Sequence, residues 1–183
     1  MRNTLCFVPI AFLCVCSTAV AEVVDAAAGG FTLVNETTVD RPRDVVWQAA
    51  IAEIDQWWSS DHTISGEASR LRIEARPQGC FCEDLGEGAG VVHMTVTTHS
   101  PTAMLRLTGG LGPLGLMGVD GNMTWEFSDT DAGTRVRFTY AVGGYRPGGL
   151  DNIAGPVDSV IGEALQRLKA WIETGDAEPS PIE

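Results

Sequence analysis

Two cysteines one residue apart, followed directly by a carboxylate, are the first place to look for chemistry: Cys80, Cys82 and Glu83 in the stretch GCFCE. Four readings suit that set. It can be a disulfide, half of a metal site, an acid–base group at Glu83, or two small apolar side chains on a strand. On a regular strand Cys80 and Cys82 point the same way, with Cβ atoms roughly 6.5–7 Å apart against about 3.8 Å in a disulfide. Bonding them needs a bulge, which Gly79 permits. The spacing is not the Cys-x-x-Cys of a redox relay.

Other polar candidates are sparse. Asp61-His62 follows two tryptophans, but adjacent residues rarely orient one another as acid and base, and a loop ending a helix explains them. Tyr140 and Arg146 are weak candidates for acid–base or oxyanion work beside Glu83. There is no Gly-x-Ser-x-Gly, no His-Glu-x-x-His and no phosphate-cradling glycine loop running into a helix with lysine. The sole lysine, Lys169, lies off the apolar stripe of the last helical segment.

The chain has 183 residues and a formal net charge of −12. Its first stretch, MRNTLCFVPIAFLCVCSTAVA, has an early arginine, an apolar run and a small-residue cleavage site, the layout of a secretory signal peptide over 1–21. The apolar run is short for a membrane span, so no stable membrane insertion is expected after cleavage. Cleavage removes Cys6, Cys14 and Cys16 and leaves one domain's length. The acidic surface argues against nucleic acid and anionic lipid as partners. Residues 22–30 read as a small-residue linker, 31–175 as the domain, and 176–183 as a disordered acidic tail.

The elements that must position these groups follow from periodicity. FTLVNETTV (31–39) reads as a strand. Asp40 and Pro42 start one or two short helices to about Ser59, with apolar residues at helical spacing. From residue 71 the period is two: strands at 71–76, 79–85, 91–99, 103–109, 122–127 and 134–142, apolar on one face and polar on the other. The last strong signal is a long helix whose stripe includes Val157, Val160, Ile161, Ala164, Leu165 and Leu168, with Gly175 as C-cap. An amphipathic helix of that length needs a dry surface, and the sheet's apolar face is the one large enough. The fold class is α+β, a curved antiparallel sheet wrapped around a long C-terminal helix with two short helices after the first strand.

On "RPRDVVWQAA", "DQWWS", "PQGCFCE", "GGLGPLGLMGVDG" and "LQRLKAWIE", in that order over Phe31 to Thr174, the chain resembles the START-like (SRPBCC, helix-grip) superfamily and its polyketide cyclase/dehydrase family. The resemblance implies a cavity between sheet and long helix that holds a small hydrophobic or amphipathic molecule, with no cofactor. Its expected lining comes from Trp57 and Trp58, one of them core and the other at the mouth. Inward strand residues Met94, Leu105, Leu107, Trp125, Phe138 and Tyr140 would contribute, with Val160 and Ala164 from the helix. Leu114, Leu116 and Met117 would form a movable rim, and VGGYRPGG (142–149) a second gate.

The hairpin register decides the cysteines. An odd-length loop over GEGAG pairs Cys82 with Met94 and Cys80 with Val96, burying both cysteines and leaving Glu83–His93 as a surface pair. A shift of one brings Cys82 opposite His93, turns Phe81 and Glu83 inward, and assembles a possible Cys80, Cys82, His93 metal site. Buried, reduced cysteines are the favoured reading. The functional expectation is an exported, periplasmic binding protein without covalent chemistry. The alternatives are a cyclase or dehydratase acting in the same cavity, and a metal-binding envelope protein.

Overall fold

The computed structural model describes residues 20–178. The expected leader up to residue 19 and the end of the tail, 179–183, lie outside the described residues. Two strands open the fold: β1 (Val20–Ala27) and β2 (Gly30–Val39). Helices α1 (Arg43–Ala52) and α2 (Ile54–Trp57) follow. Then come β3 (Leu71–Ile73), β4 (Cys80–Gly86), β5 (Ala89–Ser100), β6 (Met104–Thr108), β7 (Gly118–Thr130) and β8 (Gly133–Tyr145), and the long helix α3 (Asp151–Thr174) closes the chain. The strands form one eight-stranded antiparallel sheet in the order β1-β2-β8-β7-β6-β5-β4-β3. This is the expected helix-grip arrangement. No helix of the described residues is long and apolar enough to cross a membrane.

Alternation builds the core. On β2, Phe31, Leu33, Asn35, Thr37 and Val39 turn inward while their neighbours stay half-buried. Met123, Trp125 and Phe127 of β7 and Val136, Phe138, Tyr140 and Val142 of β8 do the same. Trp125 stacks on Phe138, with ring centroids 4.5 Å apart. Helix α3 lays Ala154, Ile161, Ala164, Leu165 and Leu168 against this face, mainly over β2 and β1. Gly175, at φ 80°, ends α3 in the left-handed region where a Cβ would be unfavourable. Pro156 sits six residues into α3, where it removes the N–H that would bond the Asn152 carbonyl.

Three segments differ from expectation. Residues 22–27, read as linker, belong to β1, an edge strand held by the backbone ladder to β2. Their alanines and acidic residues carry little strand propensity, so the pairing comes from the partner strand. The strand expected at 71–76 stops at Ile73, and a turn with Gln78 at φ 64° leads into β4. At the start of the expected tail, Ala177 is buried and Glu178 pairs with Arg167, so residues 176–178 pack against the domain.

Candidate functional site

The register of β4 against β5 shapes the site, and it matches neither simple hairpin. Cys80 pairs with Thr95 and Phe81 with Met94, after which the register steps to Cys82–Val92 and Glu83–Val91. His93 is the extra residue of this bulge. A bulge rotates the chain locally, and here His93 and Met94 are both buried while Val92 turns out to solvent. Phe81 and Glu83 face inward, 1 % exposed each. The expectation of a surface Glu83–His93 pair is thus corrected: the two meet, but in the interior, at 2.9 Å from His93 Nε2 to Glu83 Oε2. A second register step, between Val96 and Thr98, brings His99 from the expected polar face to the ring of Trp47.

Glu83 is fully engaged. Its carboxylate accepts from the Ile64 amide at 3.0 Å, from the Ser65 amide, and from His93. Burial pushes this carboxyl up, but the hydrogen bonds from Ser65, the Ile64 amide and His93 outweigh it and hold it at about 2. An ionised carboxylate only accepts, so His93 Nε2 carries the shared proton. The other ring nitrogen, Nδ1, is buried and has no hydrogen-bond partner among the described residues.

His93 is part of the wall of a cavity of about 330 Å³ at one end of the sheet–helix interface. Ile153, Pro156, Val157, Val160 and Ile161 of α3 form one side. Leu111–Leu114 and Met117, from the loop between β6 and β7, form the rim. Trp58 and the residues from Asp61 to Ile64, after α2, complete it. Among the described residues, no lysine or arginine lines the space. Trp58 is fixed by donating Nε1–H to the His62 carbonyl at 3.1 Å, and it meets Phe81 edge to face at 5.3 Å. Phe81 in turn lies 5.5 Å from the His93 ring. At the mouth His62 Nε2 is 3.1 Å from Glu163 Oε2. A larger groove of about 740 Å³ runs along α1 and the end of α3, but it is open to solvent and lies outside the sheet–helix interface.

Tyr140 holds the rim from below. Its hydroxyl donates to the Gly109 carbonyl at 3.0 Å and accepts from the Leu111 amide at 3.1 Å. Burial pushes this phenol up to about 12. Gly121 lies flat against its ring, since a Cβ there would sit 2.7 Å from Tyr140 Cε2.

Of the residues expected to line the cavity, Trp58, Leu114, Met117 and Val160 do so. Trp57 is instead core, its Nε1 donating to the Ala49 carbonyl, so one tryptophan is core and the other lines the cavity. Met94, Leu105, Leu107, Trp125, Phe138 and Ala164 are buried in the core, and Tyr140 lies beneath the rim: the middle of α3 packs tightly on the sheet, and the cavity lies against the first part of the helix. Leu116 is 89 % exposed and points away. The first half of the expected gate at 142–149 is the end of β8. Tyr145 is exposed there, and Arg146 donates to the Gly149 carbonyl at 2.9 Å. The helix stripe legible in the sequence includes Val157 and Ile161, and the same stripe one turn earlier falls on Ile153.

The cysteines form a disulfide, Cys80–Cys82, with Cα atoms 5.3 Å apart. This corrects the favoured reading of reduced cysteines; of their expected burial, Cys82 is buried and Cys80 half-buried. The bulge supplies the shape that a flat strand lacks. Gly79 permits the tight entry, since any Cβ there would run into the Glu74 backbone. The proposed metal set fails with it: both sulfurs are bonded to each other, and His93 faces Glu83. Glu74 lies near the two sulfurs, which does not restore free thiolates.

The family described as Polyketide cyclase / dehydrase and lipid transport matches residues 30–173. No curated protein matches the chain. A conserved protein of unknown function from Enterococcus faecalis superposes with a TM-score of 0.60 at 15% identity, covering 91% of this chain and 82% of that one. A protein from Mesorhizobium loti gives 0.58 at 18%, covering 79% and 98%. An uncharacterized protein from Rhizobium leguminosarum gives 0.55 at 22%, covering 86% and 98%. At these identities the likeness is one of fold.

Proposed function

Because this chain belongs to the polyketide cyclase/dehydrase and lipid transport family, we propose that it binds a small hydrophobic or amphipathic molecule in the cavity between sheet and α3, without covalent chemistry. The observation that carries this reading is the 330 Å³ space itself, walled by aliphatic residues of α3 and the rim loop. Its volume falls in the range of small-molecule sites, and its lining has the expected balance of many apolar groups and few polar ones. We further propose, from the leader-like residues 1–21, that the protein is exported to a bacterial periplasm.

The cyclase or dehydratase alternative keeps one point in its favour, the buried Glu83–His93 pair against the cavity. Its other candidates serve structure: Tyr140 holds Gly109 and Leu111, and Arg146 holds Gly149. Such an enzyme needs a second polar group converging on the ligand; Asp61 and His62 line the same space, with His62 paired to Glu163 at 3.1 Å.

The test is to express the full chain, recover the exported protein, and weigh it under native and denaturing conditions. The carrier reading expects a native mass exceeding the denatured one by an extractable organic molecule, and an amino terminus shortened by the leader. Recovery of protein that neither carries nor takes up any apolar molecule contradicts it.

A further inference from the structure

The Cys80–Cys82 disulfide lies where strand β4 changes register beside the cavity. Cys80 and Phe81 pair with Thr95 and Met94, and the step to Cys82–Val92 falls within the span of the bond. Two residues of regular strand advance about 6.6 Å, whereas the two Cα atoms here are 5.3 Å apart. The bond therefore holds β4 contracted at its register step. Phe81, enclosed between the bonded residues, meets the Trp58 ring at 5.3 Å and the His93 ring at 5.5 Å. Glu83, directly after the bond, accepts from the amides of Ile64 and Ser65. Trp58, Ile64 and His93 all line the cavity. One covalent bond thus neighbours every contact by which β4 positions that part of the wall.

We propose that Cys80–Cys82 is a reversible two-electron switch on the cavity: its reduction by a dithiol loosens the β4 wall and weakens ligand binding. The inference rests on the carrier reading above and adds its regulation. So short a loop removes few conformations from the unfolded chain, so the protein stays folded in both states and the effect of the bond is local. Cys82 is buried and Cys80 half-buried, which makes Cys80 the point of attack. A thiolate of the dithiol attacks Cys80 Sγ, forming a mixed disulfide and releasing Cys82 as a thiolate that takes up a proton. The second thiol of the reductant then attacks its own sulfur in the mixed disulfide and releases Cys80, which is protonated in turn. Two electrons and two protons pass to the protein, and the dithiol becomes a disulfide. Freed of the bond, β4 relaxes toward regular strand spacing, Phe81 shifts against Trp58, and the hold of Glu83 on Ile64 and Ser65 slackens.

The test titrates naphthalene into the oxidised protein and into the same protein reduced anaerobically with dithiothreitol. The expected result is binding at least about fivefold tighter to the oxidised form, the lower end of ordinary coupling between a switch and a site. Because coupling is reciprocal, saturating naphthalene should lower the midpoint potential of the cysteine pair, by about 30 mV for each tenfold difference in affinity. The Cys80→Ser, Cys82→Ser double variant should bind as the reduced protein does and ignore dithiothreitol. Reduction should also speed hydrogen exchange at the Ile64 and Ser65 amides, a readout that needs neither ligand nor variant. Equal or tighter naphthalene binding after reduction, an unmoved potential, unchanged exchange at both amides, or a bond that dithiothreitol leaves intact in the folded protein overturns the proposal while leaving the carrier reading in place. Failure of naphthalene to bind either form overturns both.

Discussion

Replacing Glu83 by glutamine removes one charge from the interior while keeping its shape. In the wild-type protein the carboxyl sits at about 2 against an ordinary 4.5, a difference worth about 3 kcal/mol of folding free energy. The folded value is the lower one, so this contribution is fully present above about pH 5 and is lost as pH falls through the interval down to about 2. Glu83→Gln should therefore be less stable than wild type by about 2–3 kcal/mol at pH 7, since the amide still accepts from Ile64 and Ser65 but presents a donor toward His93. At pH 3 roughly 2 kcal/mol of the wild-type contribution should be gone, and the two proteins should converge. Urea unfolding at pH 7, 5, 4 and 3 measures both curves. A gap that stays constant across this range would refute the assignment of Glu83 as a buried, hydrogen-bonded carboxylate.

Gly121→Ala should cost about 1–3 kcal/mol, because its Cβ would press on Tyr140 Cε2 at 2.7 Å and on the Ala141 carbonyl at 2.9 Å; thermal unfolding checks this, and an unchanged Tm would show the ring can yield. Tyr140→Phe should abolish the absorbance step near pH 12 expected of the buried phenol and speed hydrogen exchange at the Leu111 amide that it anchors; unchanged exchange would remove Tyr140 from the support of the rim. Thiol titration of the exported, unreduced protein should find no free cysteine, and a Cys80→Ser, Cys82→Ser double variant should lose only about 1–2 kcal/mol, because so short a loop constrains the unfolded chain little. Two titratable thiols per chain would restore the reduced reading.

The parts of the fold legible in the sequence are those where side-chain pattern and backbone geometry carry the same information. The alternation of Met123, Trp125 and Phe127, or the stripe through Ile161, Leu165 and Leu168, has one way to be buried. The site was less legible because it depends on the bulge at His93, where one inserted residue reverses which side chains face inward. Period-two counting placed His93 with Thr95 on the wet face, and the cysteines followed the wrong register with it. Gly79 and the glycine-rich turn before β5 signalled irregular geometry but not its position. Edge strand β1 was missed for a different reason: its alanines carry no pattern, and its pairing is main-chain to main-chain. The cavity's place near the start of α3 depends on how completely Trp57, Trp125 and Phe138 fill the middle of the sheet, a matter of volume that spacing does not encode.

The central claim, that the space between the rim loop and α3 is the binding site, is tested most directly by filling it. Val160 lines that cavity and lies away from the groove along α1. Calorimetric titration of naphthalene into wild-type protein and into Val160→Trp should show saturable binding in the first and its loss, by at least tenfold, in the second, because the indole occupies the same volume. Equal affinity in the two proteins would place apolar binding elsewhere on the molecule and contradict the account.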